Sequence, residues 1–169
     1  MSIEAASAVT AVVVGLGATL FMDAWALVMN RALNVPLANY CLVGRWIRHM
    51  PEGRLMHASI VDAPEMDSEC VVGWIAHYVI GAAYALVFVA IVSETWLAQP
   101  TLIPALLFGI VSVLVPFLIM QPALGSGIAA SKTPQPTRAR LRSLMAHTSF
   151  GVGLYATAVG VRYALRLAG

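Results

Sequence analysis

Charge is what this sequence has least of. Lys, Arg, Asp and Glu make up 11% of its 169 residues, against 60% hydrophobic side chains. A soluble domain carries roughly a quarter charged residues. A chain of this size also has too much surface to hide such an excess of apolar groups from water. A water-soluble globule is therefore excluded. Cysteine is nearly absent: only Cys41 and Cys70 occur, and no CxxC spacing is present. That excludes a disulfide scaffold and a zinc ribbon. A basic leader is missing too, since only Glu4 is charged before the first apolar run. That run is longer than the core of a signal peptide, so it is expected to stay as a helix.

What the chain does have is apolar length, with a mean hydropathy of +0.82. Four runs, at 5–30, 71–93, 102–120 and 144–161, hold almost no charge apart from Asp23; the last also holds His147. A membrane span needs about 20 apolar residues at 1.5 Å rise each. In hydrocarbon the backbone must bond to itself, so the runs read as helices. The sequence thus predicts an all-α membrane protein in a single domain over 1–169. It is a four-transmembrane-helix bundle with helices at about 5–30, 71–93, 102–121 and 143–163. An interfacial helix is expected at about 36–50, where Leu37, Tyr40, Cys41, Val43, Trp46, Ile47 and Met50 recur at helical spacing opposite Arg45 and Arg48. Asp67 or Ser68 is the candidate N-cap of the second span. Pro116 should kink the third. The short turn at 94–101 makes the second and third spans candidate neighbours. Trp46, Trp74 and Trp96 read as interface anchors and Trp25 as a core residue.

Orientation follows from Lys and Arg. Arg31, Arg45, Arg48 and Arg54 lie between the first two spans, and Lys132, Arg138, Arg140 and Arg142 between the last two. Only Arg162 and Arg166 lie elsewhere, so the positive-inside rule puts both long loops in the cytoplasm and both termini outside. The net charge of +2 then belongs to loops that suit anionic headgroups and gives no argument for nucleic acid. Both cysteines fall on that cytoplasmic side and are expected as reduced thiols.

Each span carries one polar or ionisable residue at a similar depth near the long loops: Asp23, His77, Gln121 and His147. A carboxylate in a span costs several kcal/mol, so it should face the interior with a partner, and a histidine is the obvious one. Arg45, His49, His57 and Glu69 in the first loop are candidates for the mouth of such a cluster. The cluster can act as a packing core or as a small-ligand or ion site in a non-enzymatic membrane protein.

Two alternatives use the same residues. His77 and His147 could bind a transition metal or haem in a membrane redox protein, with Gly81 and Gly151 one turn along to admit a flat ring. Asp23 and the histidines could instead relay protons in a proton-coupled small-solute transporter or channel, which would favour a homo-oligomer. The glycine-rich loop with Ser131, Lys132, Arg138 and Arg140 is a candidate site for a lipid headgroup or other anion; the spacing of a Walker loop is absent. No nucleophile–base pair commits the chain to hydrolysis. A faint internal repeat joins Ala76-His77, Gly81 and Tyr84 to Ala146-His147, Gly151 and Tyr155.

Larger blocks add a family resemblance. Gly44-Arg45-Trp46 with His49, Gly73-Trp74 with His77-Tyr78, Met120-Gln121-Pro122, Gly125-Ser126-Gly127, Ser131-Lys132-Thr133-Pro134, and Arg140 to Ser143 with His147 are the residues that carry it. Together they resemble the bacterial inner-membrane proteins grouped as domain of unknown function 2938, sometimes labelled YagU-like. The resemblance implies a small multi-pass protein of the cell inner membrane, with the lipid bilayer as partner. It implies no activity, substrate or cofactor. The YagU label implies a link to acid tolerance.

Overall fold

The computed structural model describes residues 3–168, and among these it contains helices and no strand. Four stretches are long and apolar enough to cross a membrane: Ala5–Leu33, Glu69–Val92, Leu102–Ala123 and Pro136–Leu167. The first lies in α1 (Ile3–Leu33). A loop then carries α2 (Tyr40–His49), and α3 (Glu69–Val92) is the second span. A single turn, α4 (Thr95–Ala98), leads into α5 (Leu102–Ser112). The third span continues past Pro116 through a π turn (Pro116–Met120) into α6 (Gln121–Ala123). The last span is α7 (Pro136–Ala168).

The π turn is the form the expected kink takes. Proline lacks an N–H, and its ring crowds the carbonyl four residues back, so the helix widens instead of continuing. The N-cap of α3 is Ser68, but its hydroxyl caps nothing. The Glu69 carboxylate turns back toward the loop and accepts the Met66 N–H.

In lipid, apolar burial gives little drive for helices to associate, so close packing of small residues takes over. The chain follows that rule. α1 meets α3 where Gly15 faces Gly81; a methyl on Gly15 would lie 2.6 Å from the Gly81 carbonyl oxygen. α5 meets α7 where Gly109 faces Gly151; a methyl on Gly109 would lie 2.6 Å from both the Gly151 Cα and the His147 carbonyl. α7 also packs along α1, so the helices run in the order α2, α3, α1, α7, α5. The second and third spans touch mainly near their connecting turn, where the Phe88 and Phe108 rings meet at a tilt, 5.2 Å apart. Their long contacts go to α1 and α7 respectively. The tightest core, with Val14, Ala18, Phe88, Trp96, Phe150 and Leu154, lies in the half away from the long loops.

Two tryptophans exchange their expected places. Trp96 is buried, because α4 folds it back onto Phe88 at 4.7 Å and its indole N–H reaches the Thr101 carbonyl. Trp25 is 40% exposed, because its face of α1 turns outward.

The expectation of reduced cysteines is also corrected: Cys41 and Cys70 form a disulfide. Compartment alone pointed to thiols, but Gly44 and Gly73 let α2 lie antiparallel against the start of α3, backbone on backbone. That contact brings the two Cα atoms to 3.9 Å.

Candidate functional site

The site begins with Asp23, a carboxylate within a membrane-spanning helix. Its Oδ1 lies 3.0 Å from His77 Nε2, and its Oδ2 accepts the Tyr78 hydroxyl at 3.0 Å. Both donors come from α3. As consecutive helical residues they stand about 100° apart, so they reach the facing α1 from two sides. With Asp23 ionised, Nε2 carries the imidazole hydrogen and Nδ1 is the free acceptor. The Asp23 and His77 side chains are 19% and 9% exposed, so the pair is largely withdrawn from its surroundings.

Tyr40 of α2 covers the group. Its ring stacks on His77 at 4.0 Å and meets the edge of Trp74 at 4.8 Å. Burial raises the Tyr40 phenol above its ordinary pKa, with the Asp23 charge as a second cause. Tyr40 is therefore a neutral lid at physiological pH.

A buried ion pair holds the lid in register. Arg45 Nε and Nη2 donate to the two Glu69 oxygens at 2.8 and 2.7 Å. Its Nη1 points at the carbonyls of Ile60, Val61 and Ala63, of which Ala63 is nearest at 3.1 Å. The hydrogen bond to Glu69 raises the Arg45 pKa further. A planar guanidinium suits this task because its five donors form a rigid fork. One side chain thus gathers the first loop onto the end of α3.

Other predicted residues have other partners. Ser112 donates its only hydrogen to the Gly109 carbonyl at 2.6 Å. Its oxygen must therefore accept from His147 Nδ1, 2.7 Å away. His147 lies beside Tyr84 at a ring separation of 6.5 Å, seven residues along α3 from His77, or about 10 Å. Gln121 donates to the Ser143 hydroxyl at 3.3 Å. His49 is buried between Pro64 and Glu52. The His57 ring lies tilted against His49 at 5.2 Å, and its backbone N–H bonds to the Ala123 carbonyl. That bond, with Ile60 N–H to Leu124, ties the two long loops together. Both ring nitrogens of His57 and the Oε1 of Gln121 are buried with no partner among the described residues.

So the structure brings Asp23 and His77 together and gives His147 and Gln121 separate hydroxyl partners. Sequence reasoning missed Tyr78, Tyr40 and Ser112. Tyr78 was findable, since it adjoins His77. Tyr40 and Ser112 depend on helix crossings that no spacing rule encodes.

The residues do not fit a haem or metal shared by His77 and His147. Each keeps one free ring nitrogen, but His147 lies beside Tyr84, about 10 Å along α3 from His77, so the two do not converge. The space beside Gly81 is filled by α1 and that beside Gly151 by α5. Among the described residues no group of three His, Cys, Asp or Glu could hold a metal ion. Ser131 and Lys132 follow the turn Ile128–Ala130, and Arg140 Nε donates to the Ala129 carbonyl at 2.8 Å.

A multi-pass helical membrane protein with a hydrogen-bonded carboxylate–imidazole pair in its spans is the class that fold and site define. The chain belongs to the DUF2938 family, described as a protein of unknown function, which matches residues 12–161. Comparison with curated proteins and with solved structures gave no match.

Proposed function

We propose that this is a non-enzymatic protein of the bacterial inner membrane whose Asp23–His77–Tyr78 group is an intramembrane ion site, with the proton as its simplest occupant. One observation carries the reading. A carboxylate sits within a span, bonded to an imidazole and a phenol, under an aromatic lid. Ionisable residues at such depth are rare and mark ion or proton paths. The imidazole offers its second nitrogen for a proton while the first holds the carboxylate.

The long loops face the cytoplasm in this reading, on a Lys and Arg count of eight against two. α2 then lies in the cytoplasmic interface, with Tyr40 on α3 and the exposed Arg48 toward headgroups. A single chain of four spans makes a thin path, so the reading favours a homo-oligomer.

The test is proton uptake by vesicles that hold the purified protein and a pH-sensitive dye, driven by a potassium diffusion potential. Uptake is expected with the natural chain and is expected to vanish with Asp23→Asn. Vesicles that stay impermeable with the natural chain would reduce the group to a packing core. There each interhelical hydrogen bond contributes about 0.6 kcal/mol on average.

A further inference from the structure

On the far side of α1 from the Asp23 group, α1 and α7 leave a groove of about 450 Å³. Phe21 and Trp25 form one wall, and Leu144, Met145 and Val152 the other. The long-loop end of α7 carries Arg138 and Arg142. Positions 138, 141, 142, 145, 148, 149 and 152 follow three- and four-residue steps, so the two arginines share the groove's face of α7. Both are exposed, and neither makes an ion pair or hydrogen bond among the described residues. Arg140, two residues away, is already engaged with Ala129.

Depth fits as well. Arg142 and Arg162 are 20 residues apart in one helix, or about 30 Å, the thickness of the hydrocarbon layer. With Arg162 at one boundary, Arg142 falls at the other and Arg138 one turn further out. Helical side chains lean toward the N-terminus, so both guanidinium groups point away from the groove and toward the headgroup layer. The groove itself lies just inside the hydrocarbon. An acyl chain matches its apolar walls, and a phosphate matches a forked cation at its rim.

We propose that this groove is a site for an acidic glycerophospholipid, with an acyl chain between Trp25 and Met145 and the phosphate on Arg142 and Arg138. The site is separate from the ion site and does not depend on it.

Trp25 supplies the readout. The full chain is reconstituted in phosphatidylcholine vesicles containing a minor fraction of chain-brominated phosphatidylglycerol or, in parallel, chain-brominated phosphatidylcholine. The share of quenching due to Trp25 is the difference between the natural chain and Trp25→Phe. Two juxtamembrane arginines favour acidic over neutral lipid by on the order of tenfold after screening. Trp25 quenching is therefore expected at much lower content of the acidic brominated lipid. Arg138→Gln with Arg142→Gln should bring the two lipids level while leaving the circular dichroism unchanged, because both side chains lie on the exposed surface. Met145→Phe, which fills the groove at constant charge, should weaken quenching by both lipids. Equal quenching of the natural chain by both lipids would overturn the proposal. So would an acidic-lipid preference that survives loss of the two arginines.

Discussion

At the scale of single residues, the polar side chains divide into those that organise the chain and those with capacity to spare. Arg45 belongs to the first kind. It is 6% exposed and bonds to a carboxylate and to loop carbonyls at once. Arg45→Gln keeps a polar side chain but leaves Glu69 without its fork. Hydrogen bonds to a charged group contribute about 1.5–3 kcal/mol. A loss in that range is expected, read as a lower denaturant midpoint and earlier proteolysis at 54–65. Intact protease resistance would mean that the disulfide beside it suffices to hold the loop. Asp23 belongs to the second kind. Its two bonds satisfy it at rest, yet the imidazole that faces it keeps an open nitrogen. In the proposed ion site, that residual capacity is what would set the group apart from a weld between helices.

At the scale of elements, the bundle is a set of glycine crossings. Gly151 shows how little room there is: an added methyl would lie 2.7 Å from the Ala105 carbonyl and 3.0 Å from the Leu106 Cα. Those are backbone atoms, which cannot swing aside. Gly151→Val is expected to destabilise by about 1–3 kcal/mol, as overpacking does. It should also pull Ser112 from His147, since the same crossing positions that pair. A thermal melt in detergent checks the first effect and a histidine nitrogen spectrum the second. A variant as stable as the natural chain would show that α5 can shift along α7.

The crossings also explain what could be read in advance. The four spans were legible because lipid demands apolar length, and length is visible in one dimension. The break at Pro116 was legible because proline chemistry is local. The partners of each helix were not. A short turn suggested that the second and third spans lie side by side, but glycine faces sent α3 to α1 and α5 to α7. That Asp23 pairs with a histidine could be read from charge and depth alone; that the histidine is His77 could not. His147 could not be assigned, since its partner Ser112 is an unremarkable residue in an apolar run.

At the scale of the whole molecule, orientation is the property with most to decide. Cys41 and Cys70 lie at the loop end, within bonding distance of each other in the folded chain. If those loops face the cytoplasm, the thiol pool there should keep the pair reduced in growing cells and allow it to close under an oxidant such as diamide. Acid-quenched cells, alkylated before and after reduction, report the state directly. A dithiol that closes to this disulfide only on oxidant treatment would place the loops in the cytoplasm. A pair already closed in untreated cells would put the loops on the outer face and reverse the orientation.

The order of the helices has a consequence for biogenesis. α1 leaves the ribosome ahead of the other three spans and α7 after them, yet they are neighbours at the middle of the bundle. Until α7 emerges, the side of α1 around Ala18 that meets Gly153 has only lipid or an insertion factor against it. The nascent chain must therefore hold its first span in waiting, and a ribosome stalled before residue 136 would release a protein with no centre.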